Sequence, residues 1–349
     1  MPLPEGSILE IGIPDDFHVH FRDGEQMRDV LPDTVRQFAR AIVMPNLKPP
    51  VTTTGMAEAY RQRILALLPP GSSFTPLMTL YLTEDIQGDE IKKAKESGII
   101  HGIKLYPAGA TTHSDAGVRK IENTFKALEA MEKYDLPLLI HAEDPDPGID
   151  IFFREESFLT KQGDLILKSF PGLRVVIEHI STAFACDFMK SARKNTAATI
   201  TEHHLLLNRN AIFAGGLRPH HYCLPVLKSE EDRIRLVETA VSGDPRFFAG
   251  TDSAPHPKRN KETSCCSAGI YTAHAALELY AEVFDRAGFP ERLDPFVSSF
   301  GARFYGLEEN PGRMKLEKKK HILPAKQTIG DDELIPLRAG ESLEWRISN

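Results

Sequence analysis

Short runs rich in apolar and β-branched residues recur along the chain, and amphipathic stretches separate them. The runs predict strands at 10–17, 41–44, 74–82, 102–106, 138–141, 174–179, 198–203 and 247–249. Helical spacing between them predicts helices at 56–68, 91–96, 118–134 and 230–241. Ser97-Gly98 is the expected C-cap of the second. The third carries Ile121, Phe125, Leu128 and Met131 at helical spacing and stops before Pro137. Strand and helix alternating eight times point to a parallel (β/α)8 TIM barrel, and the near-continuous apolar strands suit a sheet buried on both faces. The competing architecture is an open doubly wound sheet. Its glycine-rich phosphate turn is missing after the first strand, where the chain reads HVHFRDG.

The strand ends carry the chemistry. The first apolar run leads to His18 and His20, which share a face if the strand continues. The second ends in Met44-Pro45-Asn46, the fourth carries Lys104, the fifth ends in His141 and the sixth in His179. The seventh is expected to end in His203-His204, and the eighth runs into Gly250-Thr251-Asp252. In such barrels the carboxyl ends of the strands form the active face. One histidine at a strand end is an ordinary hydrogen-bonding residue. His18, His20, His141, His179, Lys104 and Asp252 at one mouth are harder to explain without a cation, since each unpaired buried charge costs roughly several kcal/mol.

Composition narrows the setting. The 349 residues are 41% hydrophobic and 26% charged, and the net charge is -7. An acidic balance argues against nucleic acid or an anionic membrane as partner. The basic cluster Lys318–320 reads as a solvated surface run. Cys186, Cys223, Cys265 and Cys266 imply neither a disulfide framework nor a CxxC zinc site, and suit a reducing cytoplasm. No signal peptide or membrane-spanning apolar run is visible.

Four imidazoles and a carboxylate form a nitrogen and oxygen donor set that suits zinc and tolerates cobalt or manganese. They are too many for one tetrahedral ion and about right for two, which need a bridging anion. No second carboxylate is expected at these strand ends. A lysine beside two cations is pushed towards its neutral amine, which can capture carbon dioxide as a bridging carbamate. The plainer alternative is that Lys104 pairs with an acid inside the barrel.

With HVH after the first strand, GIKLYPAGATT around Lys104, LLIHAE at His141, VIEHIS at His179 and GTDSAPH at Asp252, the chain resembles the amidohydrolase superfamily. More narrowly, it resembles bacterial class II dihydroorotases from Pro14 to about Gly306. One barrel domain is expected over 1–349, with a core at 8–306, and the residues at 307–349, including MKLEKKKHILP and ESLEWRIS, read as a short β-rich extension that completes it. The resemblance implies two Zn2+ per subunit: His18, His20 and Asp252 on the more buried ion, His141 and His179 on the other, and carbamylated Lys104 (N6-carboxylysine) with a hydroxide bridging them. Asp252 would be the catalytic general base. Arg22, Asn46 and His256 would hold a substrate carboxylate, and main-chain groups of Leu224 and Ala268 would read the ring's amide edge. Thr111 and Thr112, on the small-residue loop 107–115, would close over the substrate. The implied reaction is reversible hydrolysis between L-dihydroorotate and N-carbamoyl-L-aspartate, in a cytoplasmic homodimer.

From the residues alone, Arg22 reads equally as a surface salt-bridge partner of Asp23 or Glu25. His203, His204, His220, His221, Cys265 and Cys266 receive no role. Three rivals stand beside the main expectation: another cyclic amidase such as a hydantoinase or allantoinase, a mononuclear deaminase without carbamylated lysine, and a catalytically dead barrel serving as a scaffold.

Overall fold

The computed structural model describes residues 2–348. The first apolar run is two strands, not one. β1 (Ile8–Gly12) is separated from β2 (Asp15–Val19) by Ile13-Pro14. Proline has no N–H to continue a ladder, and its carbonyl instead accepts the amide of Ala39 at 2.9 Å. β2 begins the barrel. β3 (Arg40–Val43), β4 (Thr75–Tyr81), β5 (Ile100–Leu105), β6 (Leu138–His141), β7 (Val175–Glu178), β8 (Thr196–Ile200) and β9 (Phe247–Ala249) follow, each parallel to the one before. The chain past β9 completes the ring: Asp252 donates its amide to the His18 carbonyl at 2.9 Å, and His20 to that of Ser253 at 3.1 Å. The fold is the expected (β/α)8 barrel.

The strands form because they are apolar on both faces. β2, β6, β7 and β8 are buried along their whole length. Several of the helices between them start at side chains that satisfy their free amides. Thr53 caps Thr54–Ala66, Thr182 caps Ala183–Ser191, and Ser229 with Asp232 forms a capping box on Glu230–Ala240. Gly88–Glu96 ends at Ser97, followed by Gly98 at φ 69°. The helix expected over 118–134 is shorter: a 3-10 turn at Ile121–Thr124 leads into Phe125–Lys133.

The amino-terminal end of the barrel is plugged by the helix Phe300–Tyr305. Phe17 stacks on Tyr305 at 5.2 Å between centroids and meets Phe248 edge-on at 5.0 Å. Gly301 lets the plug approach, since a Cβ there would lie 2.1 Å from the Phe17 ring. The carboxyl ends are therefore the open face.

The C-terminal segment is β-rich, and β1 belongs with it. β10 (Arg313–Ile322) pairs antiparallel with β1 on one side. β11 (Gln327–Ile329) and β12 (Asp332–Leu334) form a small hairpin, and β13 (Ser342–Ser348) pairs with the other side of β10. Lys318 is not the solvated surface residue expected. It is buried, and donates to Asp285 at 2.6 Å and to the Leu3 carbonyl at 2.7 Å. Among the described residues, no helix is long and apolar enough to cross a membrane.

Candidate active site

At the open face, β2 hands on to His18 and His20, and the turn after β9 to Asp252. One Asp252 carboxylate oxygen lies 3.2 Å from His18 Nε2 and 3.0 Å from His20 Nε2. The two ring nitrogens are 3.3 Å apart. At most one of them can place a proton between the pair. A tetrahedral zinc with bonds of about 2.0–2.1 Å would hold its ligands about 3.3 Å apart, so this trio fits a shared cation. Asn46 accepts from His20 Nδ1 at 2.9 Å, which leaves Nε2 with its lone pair free.

His141, closing β6, faces His179, just past β7. His141 Nδ1 and His179 Nε2 are 3.2 Å apart. Glu143 takes the other nitrogen of His141 at 2.9 Å, and among the described residues Nδ1 of His179 is buried without a hydrogen-bond partner. Burial pushes His18, His141 and His179 below the usual imidazole range and takes His20 to about 3. Neutral imidazole is the metal-binding form.

Contrary to the sequence expectation, a second carboxylate stands at these strand ends. Glu178 closes β7, touches the Lys104 ammonium with one oxygen, and lies 3.1 Å from His18 Nδ1 with the other. All three side chains are buried. Strand alternation would turn Glu178 away from His179. His179 has φ 42°, which breaks the alternation and lets both residues face the site. Burial holds Lys104 well below the usual lysine range.

Beside these groups lies a carboxylate-sized set of donors. Arg22 is buried and bonds neither Asp23 nor Glu25: its Nε donates to the Pro255 carbonyl at 3.0 Å, and Nη2 meets His256 Nε2 at 3.0 Å. The strand has ended by then, and Arg22 is placed by φ 62° rather than by strand parity. The 107–115 loop crosses the opening. Asn46 donates to the Thr112 carbonyl at 3.2 Å, and the Thr112 hydroxyl to that of Ala268 at 3.1 Å. The space between these groups is lined among others by Thr111, Thr112, Leu224 and Ala268.

A family profile described as Amidohydrolase family matches residues 11–319. The chain belongs to the amidohydrolase family. A dihydroorotase of Methylobacillus flagellatus is 57% identical over 341 residues, covering 98% of this chain and 99% of that protein. Among amidohydrolase-like solved structures, dihydroorotase from Saccharomyces cerevisiae in complex with 5-fluoroorotic acid superposes with a TM-score of 0.89. It is 35% identical over 98% of each chain. Dihydroorotase from Campylobacter jejuni gives a TM-score of 0.90 at 35% identity over 99% of each chain.

Within this amidohydrolase barrel, the residues singled out from sequence gather at one mouth. His203 and His204 do not close β8; they sit in the short helix Glu202–Leu206, and with Cys223 form a separate buried group. His220 pairs with Glu262 at 3.0 Å, and His221 bonds the Ala211 carbonyl at 2.8 Å. Sequence reasoning missed Glu178 and Glu143. Each is within two residues of a site histidine, and that adjacency was the available signal.

Proposed function

We propose that this chain is a dihydroorotase, interconverting L-dihydroorotate and N-carbamoyl-L-aspartate in pyrimidine synthesis. The observation that carries the reading is the buried Arg22–His256 pair, with Asn46 nearby, set beside the His18–His20–Asp252 trio in one small cavity. A cyclic amide bearing a free carboxylate needs both halves. The name carried by close full-length relatives supports the same substrate.

In this reading, His18, His20 and Asp252 would hold one divalent ion and His141 and His179 a second, with zinc the expected metal and Lys104, as its carbamate, a further ligand. Such ions, when bound, supply a water that ionises near neutral pH and polarise the scissile carbonyl. Arg22 offers a planar fork to the substrate carboxylate, and Asn46 and His256 complete the clamp. Asp252 takes the proton of the attacking water as the new C–O bond forms, and delivers it to the ring nitrogen as the C–N bond breaks. Ring closure runs the same steps backwards and releases water. The main chain at Leu224 and Ala268 reads the amide edge, and Thr111 and Thr112 close the loop over the ring. Burial favours the neutral Lys104 amine, the form that captures carbon dioxide; Glu178 is the competing partner of its protonated form.

The test measures zinc content and dihydroorotate hydrolysis on one preparation, with Lys104→Ala alongside. About two zinc per chain and activity that the variant loses support the reading. Two zinc without turnover moves the substrate to another cyclic amide. Labelled bicarbonate that never appears on Lys104 removes the carbamate.

A further inference from the structure

Lys261 is 2% exposed, yet among the described residues no carboxylate pairs with it. It closes the short helix Lys258–Lys261, five residues beyond His256. Its ammonium donates to three main-chain carbonyls, those of Tyr222, Ser267 and Gly269, each at 2.8 Å. An ammonium has three N–H donors, and all are used. These acceptors come from two separate stretches of chain. One leads into Leu224 and the other brackets Ala268.

The two stretches otherwise meet through one direct bond, from the Gly269 amide to the Tyr222 carbonyl at 3.0 Å. Gly269 sits at φ 149°, and a Cβ there would approach the Ala254 carbonyl to 2.7 Å, so the second stretch is pressed tightly against the turn before His256. Between the two carbonyls that Lys261 holds on this stretch, the Ala268 carbonyl accepts from the Thr112 hydroxyl at 3.1 Å and lies 2.9 Å from His256 Nε2.

We propose that Lys261 is a positioning residue: its ammonium ties 222–224 and 267–269 into one rigid wall against which the substrate ring and the closing loop register. The role rests on the dihydroorotase reading for the identity of the substrate, not for the wall itself. Charge and three-fold donation are both required. A buried cation is stabilised here by converging carbonyl dipoles and by the face of the Tyr222 ring, 5.7 Å from the ammonium, and no neutral side chain supplies three donors at that reach. Main-chain recognition needs such a brace, because backbone groups are only as well placed as the segment that carries them.

The experiment compares wild type with Lys261→Met, which keeps the stem and removes the donors, and with Lys261→Gln, which restores part of the donation. Zinc content, kcat and KM for dihydroorotate, and hydrogen exchange of the 222–224 and 265–270 peptides are measured on each. Lys261→Met should retain its zinc, raise KM at least tenfold with a smaller change in kcat, and speed exchange in both peptides together. Lys261→Gln should fall between. Unchanged KM and exchange in folded Lys261→Met overturns the role. So does loss of zinc, or failure of both variants to fold, since either makes Lys261 a general support of the fold. A wild type inactive on dihydroorotate overturns the substrate reading alone, and coupled exchange of the two peptides then still decides the wall.

Discussion

Glu143 accepts a hydrogen bond from His141 Nε2 at 2.9 Å, and both side chains are buried. The bond fixes the tautomer, so that Nδ1 faces His179 with its lone pair. Partners of this kind are worth roughly 10–100-fold in metal affinity. Glu143→Ala should weaken zinc retention by about that factor against a competing chelator, with the fold intact. Unchanged retention would show that packing alone orients the ring.

Arg22 is the test of the carboxylate clamp. Hydrogen bonds to charged groups contribute about 1.5–3 kcal/mol, so Arg22→Met should lower kcat/KM for dihydroorotate roughly 10- to 100-fold or more. Zinc content should not change, because Arg22 touches His256 and the Pro255 carbonyl rather than the trio. Steady-state kinetics and metal analysis on one sample decide it.

Glu202 provides a pH dependence away from the proposed chemistry. Burial raises its carboxyl to about 8, from 4.5 in the unfolded chain. The folded state then holds a proton that the unfolded state releases. This contribution to stability is complete below about pH 4.5 and is lost as pH rises to about 8. Glu202→Gln keeps the shape and cannot ionise. Its melting temperature relative to wild type should rise between pH 5 and 8 and level off above. A constant difference would mean that Glu202 is ionised in the fold.

Gly301 tests the barrel plug. A methyl group there would sit 2.1 Å from Phe17 Cε2. Overpacking of this kind costs typically about 1–3 kcal/mol. Gly301→Ala should therefore lower the denaturant midpoint with little effect on the zinc content of the folded fraction.

Much of this was readable in advance because barrel strands are apolar on both faces and the site sits where they end. His18, His141 and Asp252 follow from that regularity. The departures arise where local geometry breaks it. Pro14 split the first run, and β1 went to a sheet whose partners lie some 300 residues away, a pairing that periodicity cannot reveal. The helix starting at Glu202 lifted His203 and His204 off the strand end. Glu178 shares a face of β7 with Val176, and His179 joins it there only through its left-handed backbone. Arg22 came to the site by the same kind of turn. Lys318 looked like one of a solvated trio, until Asp285 claimed it across 33 positions.

Arg22, His179 and Asp252 all have positive φ, at 62°, 42° and 46°. Each is a non-glycine residue in a conformation costing of order 1–3 kcal/mol. The mouth of the barrel is thus the place where the chain is least comfortable with its own backbone. Glycine at any of the three would ease the main chain while deleting the side chain that the chemistry needs. A screen that rewards heat resistance and ignores turnover would drift towards those replacements, and would arrive at a sturdier barrel that no longer works.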